Sequence, residues 1–480
     1  MSGRRGTGLV TGGVGLVARH RLFAALLVAA TAIRVVVQLA YQPALFFYGD
    51  SFAYLGNAAK LQPESIRPAG YPAFLRALLW VHELAVVPAV QHVIGLATGV
   101  VVYALVRRLG AGAVAGSIAA APVLFDAYQL NIEQHILSEA LFSLLAIGAL
   151  AVLVWRGRPT LAACVVTGVL LALAALTRSV GLALIAPALV FAIFRAGPLR
   201  ALALAAAFAA PLAAYAAWYS TTPQGAFALT DHDGYFLYGR VADFASCTGA
   251  HLGPIKRRVL CDPRPPSERP NPNYYVWHKW SQHRYPGFPR KQSSRNALLE
   301  SFALGVIRRQ PLDYVRTVLG DMEHYAAFGR STGPLDEPLG EWQFHVTHGL
   351  TPLEARREGA EVRRWGGSLR EWPAGERLLS DYQRVIYTPG PLLVAALLAA
   401  VLGAAVATAA GAGRILRAEM LTLAAAGLVL PLTAAMTSMF DYRYLLPSLP
   451  LLSAAGVLGA TVLSARLREL RATQADPVAP

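Results

Sequence analysis

The sequence predicts an all-α polytopic membrane protein of about ten transmembrane helices, and three observations predict it. Hydrophobic residues fill 55% of the 480 positions and charged ones only 15%, with a mean hydropathy of +0.43; soluble domains are roughly one-quarter charged. Ten apolar stretches approach the roughly 20 residues that a helix needs to cross a bilayer. Arginines gather in every alternate connection between those stretches, the charge signature of loops kept on the cytoplasmic side.

The stretches are 22–42, 88–106, 111–128, 134–155, 159–177, 180–195, 198–218, 388–410, 418–439 and 444–464. An eleventh, 71–87, carries Arg76, His82 and Glu83 and reads as a helix lying in the interface. Arg4, Arg5, Arg19 and Arg21 flank the first stretch, and Arg466, Arg468 and Arg471 follow the last. Arg107 and Arg108, Arg156 and Arg158, Arg195 and Arg200, and Arg414 and Arg417 occupy alternate connections. Both termini are therefore expected in the cytoplasm of a plasma-membrane protein, with residues 43–87 and 219–385 on the opposite side. The chain divides into an N-terminal transmembrane module 1–218, an extracytoplasmic domain 219–385 and a C-terminal module 386–480. No cleavable signal peptide is expected, since the first apolar run is long enough to span and no small-residue cleavage site follows it.

The net charge of +15 gives no support to a nucleic-acid partner. Residues 219–385 hold 22 basic and 18 acidic side chains, so most of the surplus sits in the short cytoplasmic connections. Within that domain the apolar spacing predicts helices over 296–309 and 311–328, with Pro311 as a first helical residue. The Pro-rich and aromatic run 261–291 reads as irregular. Cys247 and Cys261 share the domain, and in an oxidising compartment they can close a short loop worth about 3 kcal/mol. Trp277, Trp280, Trp342, Trp365 and Trp372 read as core aromatics, with sugar stacking or membrane contact as the alternatives. Asp231-His232-Asp233 reads as a solvated turn.

On the side opposite the arginine-rich loops, ionisable residues that the hydrophobic pattern does not need come together: Asp50, Arg67, Glu133, Glu139, Arg178, Asp441 and Arg443. Charges at a membrane edge are costly unless paired or solvated, so their convergence points to a site. Each also has a structural reading. Asp50 is placed to cap a short helix over 51–60, Glu133 to sit solvated at a helix end, Glu139 to pair with Arg178, and Asp441 to bridge Arg443. Arg34, in mid-span, needs a buried partner. His82 and His92 have no second ligand at metal spacing.

The segment Tyr48-Gly49-Asp50-Ser51-Phe52-Ala53-Tyr54, followed by Arg67-Pro68-Ala69-Gly70-Tyr71-Pro72, resembles the first outer loop of GT-C membrane glycosyltransferases. The lipid A aminoarabinose transferases and protein O-mannosyltransferases are of this type. Ser138-Glu139-Ala140-Leu141, Leu176-Thr177-Arg178 and Arg443-Tyr444-Leu445-Leu446-Pro447 are similar to short stretches of that superfamily, in matching order and sidedness. The resemblance implies a GT-C-like bundle with a mixed extracytoplasmic domain. It implies a hexosyl- or pentosyltransferase that takes sugar from a polyprenyl-phosphate donor in the membrane lipid to a glycan, lipid or protein acceptor, with inversion at the anomeric carbon.

In that reading Asp50 is the general base, and Arg67, Arg178 and Arg443 clamp the donor phosphate, because guanidinium forks match phosphate oxygens. Tyr54, Tyr71 and Glu139 contact substrate. No nucleotide cofactor is required. Many relatives carry two adjacent acids where Ser51 here follows Asp50, and one carboxylate is a poor hard-cation site, so use of a divalent metal stays open. Two other functions fit the same composition: a flippase or transporter of lipid-linked sugars, which needs polar residues through the membrane depth, and a polysaccharide polymerase or ligase.

Overall fold

The computed structural model describes residues 20–475 except 224, 249–251, 254–255, 257–258, 279–280, 282–287, 347–350 and 408–411, and without the side chains of 371, 412–415 and 472–475. Arg4, Arg5, Arg19 and Trp280 lie outside the described residues. The first half of the chain forms α1 (Arg21–Ala40), α2 (Asp50–Lys60), α3 (Gly70–Leu78), α4 (Val86–Arg108), α5 (Ala113–Phe125), α6 (Ala127–Gln134), α7 (Glu139–Val154), α8 (Leu161–Thr177), α9 (Ile185–Ala196) and α10 (Pro198–Ser220). The middle segment contributes α11 (Asp233–Ala242), α12 (Pro272–Trp277), α13 (Gln292–Arg309), α14 (Pro311–Ala326), α15 (Pro352–Trp365) and α16 (Pro373–Val385). The chain ends with α17 (Gly390–Val406), α18 (Ala412–Thr437) and α19 (Leu449–Ala475).

A helix occupies each of the ten apolar stretches. Six segments of the described residues are long and apolar enough to cross a membrane unbroken, α5–α6 and α16–α17 are pairs bent by 49°, and α7 and α8 are shorter apolar helices. The chain is an all-α polytopic membrane protein. Strand among the described residues is confined to a two-residue antiparallel pairing of Tyr41–Gln42 with Arg370–Glu371.

The break between α5 and α6 departs from the single span expected over 111–128, and its chemistry is local. Asp126 caps α6, its Oδ1 accepting from the backbone N–H of Tyr128 at 2.9 Å and of Gln129 at 3.2 Å. A break inside an apolar bundle also orphans the last carbonyls of α5, and such groups must find partners. Arg34 supplies them, donating to the carbonyls of Leu124 at 2.8 Å and Val123 at 3.2 Å. It also donates to the Ala30 carbonyl at 3.2 Å and meets Glu133 bidentately, at 2.8 and 3.0 Å. Glu133 is thus fully buried, a correction to the solvated helix end expected of it: the bend turns α6 back across α1 and α4. His92 and Gln129 complete its shell at 2.9 and 3.1 Å. Gly95 is what lets α4 come so close, since a Cβ there would lie 2.0 Å from a Glu133 carboxylate oxygen.

Elsewhere small residues set the helix spacing, as is usual where no water drives association. On α19, a Cβ at Gly456 would lie 2.4 Å from the Ala396 side chain, and one at Gly459 would lie 2.1 Å from the Ala399 carbonyl of α17. In the middle segment, α11 packs between α12 and α13 around Tyr238, Tyr275, Phe302 and Val306. The Cys247–Cys261 disulfide borders this core. Arg240 on α11 then pairs with Asp321 on α14 at 3.0 Å.

Four local expectations change. Helix α13 begins at Gln292, before the expected 296, and the run 261–291 contains α12, capped by the Asn271 side chain. Asp231-His232-Asp233 opens α11 and is no solvated turn: Asp231 is buried, and His232 stacks on Tyr235 and Trp277 with centroids 4.4 and 6.1 Å away. The stretch 71–87 stops being α-helical at Leu78; a 3₁₀ turn follows, and His82 adopts a left-handed conformation with φ of 55°. Among the tryptophans, Trp342 is core, while Trp277 and Trp372 are about two-fifths exposed, at 41% and 42%.

Replacing Arg34 by Met strands the Glu133 charge, a loss of about 3–5 kcal/mol for one partner of a buried pair. Thermal unfolding followed by tryptophan fluorescence should show a large fall in Tm for Arg34→Met and recovery of more than half of it in Arg34→Met with Glu133→Gln. Additive losses in the double variant would show that the two side chains act separately.

Candidate functional site

The termini of five segments meet at one end of the bundle. Asp50 lies in the first turn of α2 and Glu139 is the first residue of α7, positions where the helix dipole favours a carboxylate. Arg67 sits in the loop before α3, Arg178 directly follows α8, and Asp441 and Arg443 belong to the tight turn between α18 and α19. Asp50 does not cap its helix: Gly49 holds the cap position and no side chain caps it.

The carboxylate of Asp50 is shared between two guanidinium groups. Its Oδ1 accepts from Arg67, with Nε at 2.9 Å and Nη2 closer, and its Oδ2 accepts from Arg443 Nη1 at 2.5 Å. Arg443 also meets Asp441 through Nε at 2.8 Å and lies 3.9 Å from Glu139. Glu139 accepts from Arg178, and its second oxygen is buried with no hydrogen-bond partner among the described residues. Asp50, Arg67 and Arg178 side chains each keep 14% of their surface exposed, and Arg443 keeps 10%. The cluster is therefore half-closed, with three arginines against three carboxylates. Glu64, 3.7 Å from Arg67, stands at its margin.

Aromatic rings wall this charge cluster. Arg443 lies over Phe47, Trp342 and Tyr444, 4.9, 5.4 and 5.1 Å from the centroids. Arg178 lies 5.5 Å from Tyr444, and Arg67 lies 5.6 Å from Tyr54. Tyr54 shares a hydrogen bond of 3.2 Å with Ser138, and burial pushes its phenol up to about 12. Tyr71 is fully buried and packs edge-on beneath Tyr54 at 4.8 Å. Its hydroxyl donates to Gln91, whose amide holds the carbonyls of Glu133 and His135. Tyr71 thus ties the cluster to the helix break.

Ser51 fastens the loop. Its hydroxyl donates to the Ile136 carbonyl at 3.0 Å and accepts from the Phe47 N–H at 2.9 Å. Leu45 and His135 form a parallel bridge beside it, so the stretch before Glu139 is pinned to the loop that carries Asp50. Among the described residues no three His, Cys, Asp or Glu side chains gather as metal ligands. With both Asp50 oxygens on guanidinium groups and Ser51 turned into the backbone, the loop does not present a hard-cation donor set. Trp342, expected in the core, is buried there and also walls Arg443, whereas Glu64 and Phe47 escaped the sequence reading. Nothing in the local sequence of these two marks them, because tertiary packing alone brings them to the arginines.

Neither a protein-family model nor a curated protein matches this sequence. Among solved structures, the chain is similar to the oligosaccharyltransferase of Archaeoglobus fulgidus in its apo form, with a TM-score of 0.42 and 14% identity over 94% of this chain and 52% of that one. The archaeal oligosaccharyltransferase AglB from Archaeoglobus fulgidus, in complex with an inhibitory peptide and a dolichol-phosphate, aligns with a TM-score of 0.43 and 15% identity over 96% and 52%. The chain spans about half the length of the enzyme it matches.

Burial raises the Asp50 carboxyl, but the Arg67 and Arg443 guanidinium groups outweigh it and hold the acid far below the ordinary value of 3.8. A depressed folded-state pKa adds stability that is present above the ordinary value and is lost as the pH falls through the folded one. The Tm difference between wild type and Asp50→Asn should accordingly stay constant from pH 8 to pH 5 and shrink only below about pH 4. A difference that already narrows between pH 7 and pH 5 would contradict the double ion pair.

Proposed function

We propose that this chain is a GT-C-type membrane glycosyltransferase that moves a hexosyl or pentosyl group from a polyprenyl-phosphate donor to an extracytoplasmic glycan, lipid or protein acceptor. The observation that carries the reading is the Asp50 carboxylate held between Arg67 and Arg443, next to the Arg178–Glu139 pair, at one end of an apolar bundle. The resemblance of the loops bearing these residues to GT-C enzymes supports it.

Attack of an acceptor hydroxyl on the anomeric carbon breaks the bond to the donor phosphate and leaves polyprenyl phosphate behind. The hydroxyl proton goes to a base, and the phosphate gathers charge as the sugar becomes oxocarbenium-like. Arg178 meets that charge first, because its Nε and Nη2 make no hydrogen bond to the described residues. An arriving phosphate also competes with Asp50 for Arg67 and Arg443. Asp50 alone is too weak a base while both guanidinium groups hold it. Sharing them with the donor raises its basicity at the moment the acceptor needs it, so donor binding activates the base. Tyr54 and Glu139 border the same opening and orient substrate hydroxyls.

In this arrangement residues 219–385 form an extracytoplasmic domain beside the site, between the membrane modules 1–218 and 386–480, and both termini are cytoplasmic. Arg158, Arg195 and Arg200 line a cavity at the other end of the bundle. The 17-residue α8 places that cavity about 25 Å from Arg178, in keeping with a cytoplasmic arginine belt. The flippase reading has less support, because the Arg34–Glu133–His92 network at mid-depth is sealed.

In proteoliposomes supplied with radiolabelled polyprenyl-phosphate hexoses and pentoses, wild type should transfer label to an acceptor fraction. Asp50→Asn should lower the rate about 10²–10⁴-fold, the usual worth of a general base, with expression unchanged. Label crossing to the opposite leaflet without transfer would favour a flippase and end the transferase reading.

A further inference from the structure

A second polar cluster lies one step beyond Arg67. Tyr215 and Tyr219, at i and i+4, present their rings on one face of α10. They pack against Ala69, two residues after Arg67, together with Leu176 and Leu229. Asp231 is drawn to the same place by its backbone N–H, which donates to the Ser65 carbonyl at 2.6 Å. The charge of Glu64 bears on both phenols, and that of Asp231 bears on Tyr219. Tyr215, Tyr219 and Asp231 are buried, at 7%, 2% and 6% exposure.

Buried polar groups in folded proteins are almost always hydrogen-bonded, and here four are not. The hydroxyls of Tyr215 and Tyr219, Glu64 Oε1 and Asp231 Oδ2 have no hydrogen-bond partner among the described residues. The Ala69 backbone lies close to the Tyr215 hydroxyl, and the Asn296 side chain lies close to the Asp231 carboxylate. The set is chemically specific. Two phenols both donate and accept, two carboxylates only accept, and the complement of such a set is a ring bearing several adjacent hydroxyls. Burial also disfavours the charge on Glu64 and on Asp231, raising both carboxyls.

We propose that Glu64, Tyr215, Tyr219 and Asp231 form the pocket for the hydroxyls of the donor's sugar ring. The proposal rests on the transferase reading, and its geometry follows from Arg67. Glu64 lies 3.7 Å from that guanidinium group, so a sugar bonded to a phosphate on Arg67 has its ring beside Glu64. The four residues therefore set which donor sugar is taken, while the arginines read only its phosphate.

Equilibrium binding to the purified full-length protein tests this with two probes, farnesyl phosphate and the same lipid phosphate carrying a hexose or a pentose. Wild type should bind a sugar-bearing lipid at least tenfold more tightly than the bare phosphate. Tyr219→Phe, which removes one oxygen and keeps the ring, and Asp231→Asn should each weaken the sugar-bearing lipid about tenfold and leave the bare phosphate within twofold. Arg178→Gln should weaken both lipids alike. Equal losses for the two lipids in Tyr219→Phe and Asp231→Asn, or no loss for either, would overturn the pocket and leave the phosphate site standing. Wild type that binds neither lipid would overturn the transferase reading itself, and the pocket with it. Donors lacking one ring hydroxyl extend the test: the deoxy-sugar whose loss matches Tyr219→Phe should show no further loss in that variant.

Discussion

In an apolar bundle every broken helix must have its backbone groups satisfied from within the protein, and the break at Asp126 is where this chain meets that demand. Arg34 takes the freed carbonyls of Val123 and Leu124, and Asp126 holds the new helix start. The other Asp126 oxygen accepts from the Thr388 N–H at 2.7 Å, and the Tyr382 hydroxyl donates to the Phe125 carbonyl at 2.6 Å. Two bent helix pairs, far apart in sequence, are thereby tied at their bends. Arg330 stacks over Tyr128, Tyr387 and Tyr442 at the same junction, which brings in the turn that carries Arg443. The position of the charged cluster is a consequence of how this break is satisfied.

That cluster sits at helix ends for a related reason. Helix starts stabilise Asp50 and Glu139, and the turns after α8 and before α19 free Arg178 and Arg443 from helical geometry, so charges from four separate helices can meet without crossing the apolar interior. Tyr71 and Gln91 then link the cluster to the break by a chain of hydrogen bonds. The helix break and the set of ion pairs are thus built in adjacent layers of the same bundle.

The sequence made the helices legible because hydropathy over twenty residues is a strong signal, and it brought Asp50, Arg67, Arg178, Glu139 and Arg443 to one side through the arginine asymmetry. It hid the break, because one Asp within an apolar run barely alters the average, although Pro122 followed by a capping Asp126 was there to be read. It hid the pairing as well. Asp50 meets partners 17 and 393 residues away, and no local pattern states which arginine takes which acid. Glu133 was misplaced for the same reason: its burial depends on Arg34, 99 residues earlier. The start of α12 was obscured by Pro and aromatic residues, where capping by Asn271 outweighs the lack of periodicity.

The balance of three arginines against three carboxylates bears on how a ligand arrives. A neutral cluster casts little field beyond the roughly 8–10 Å over which salt screens exposed charges, so it does not steer anions out of bulk water as a cationic funnel would. An anionic headgroup anchored in the bilayer needs no such steering. On the proposed transferase reading it travels in two dimensions and reaches the site by lateral diffusion, and selection begins at contact with the arginines. Soluble phosphates, however abundant, meet a surface that gives them little long-range pull.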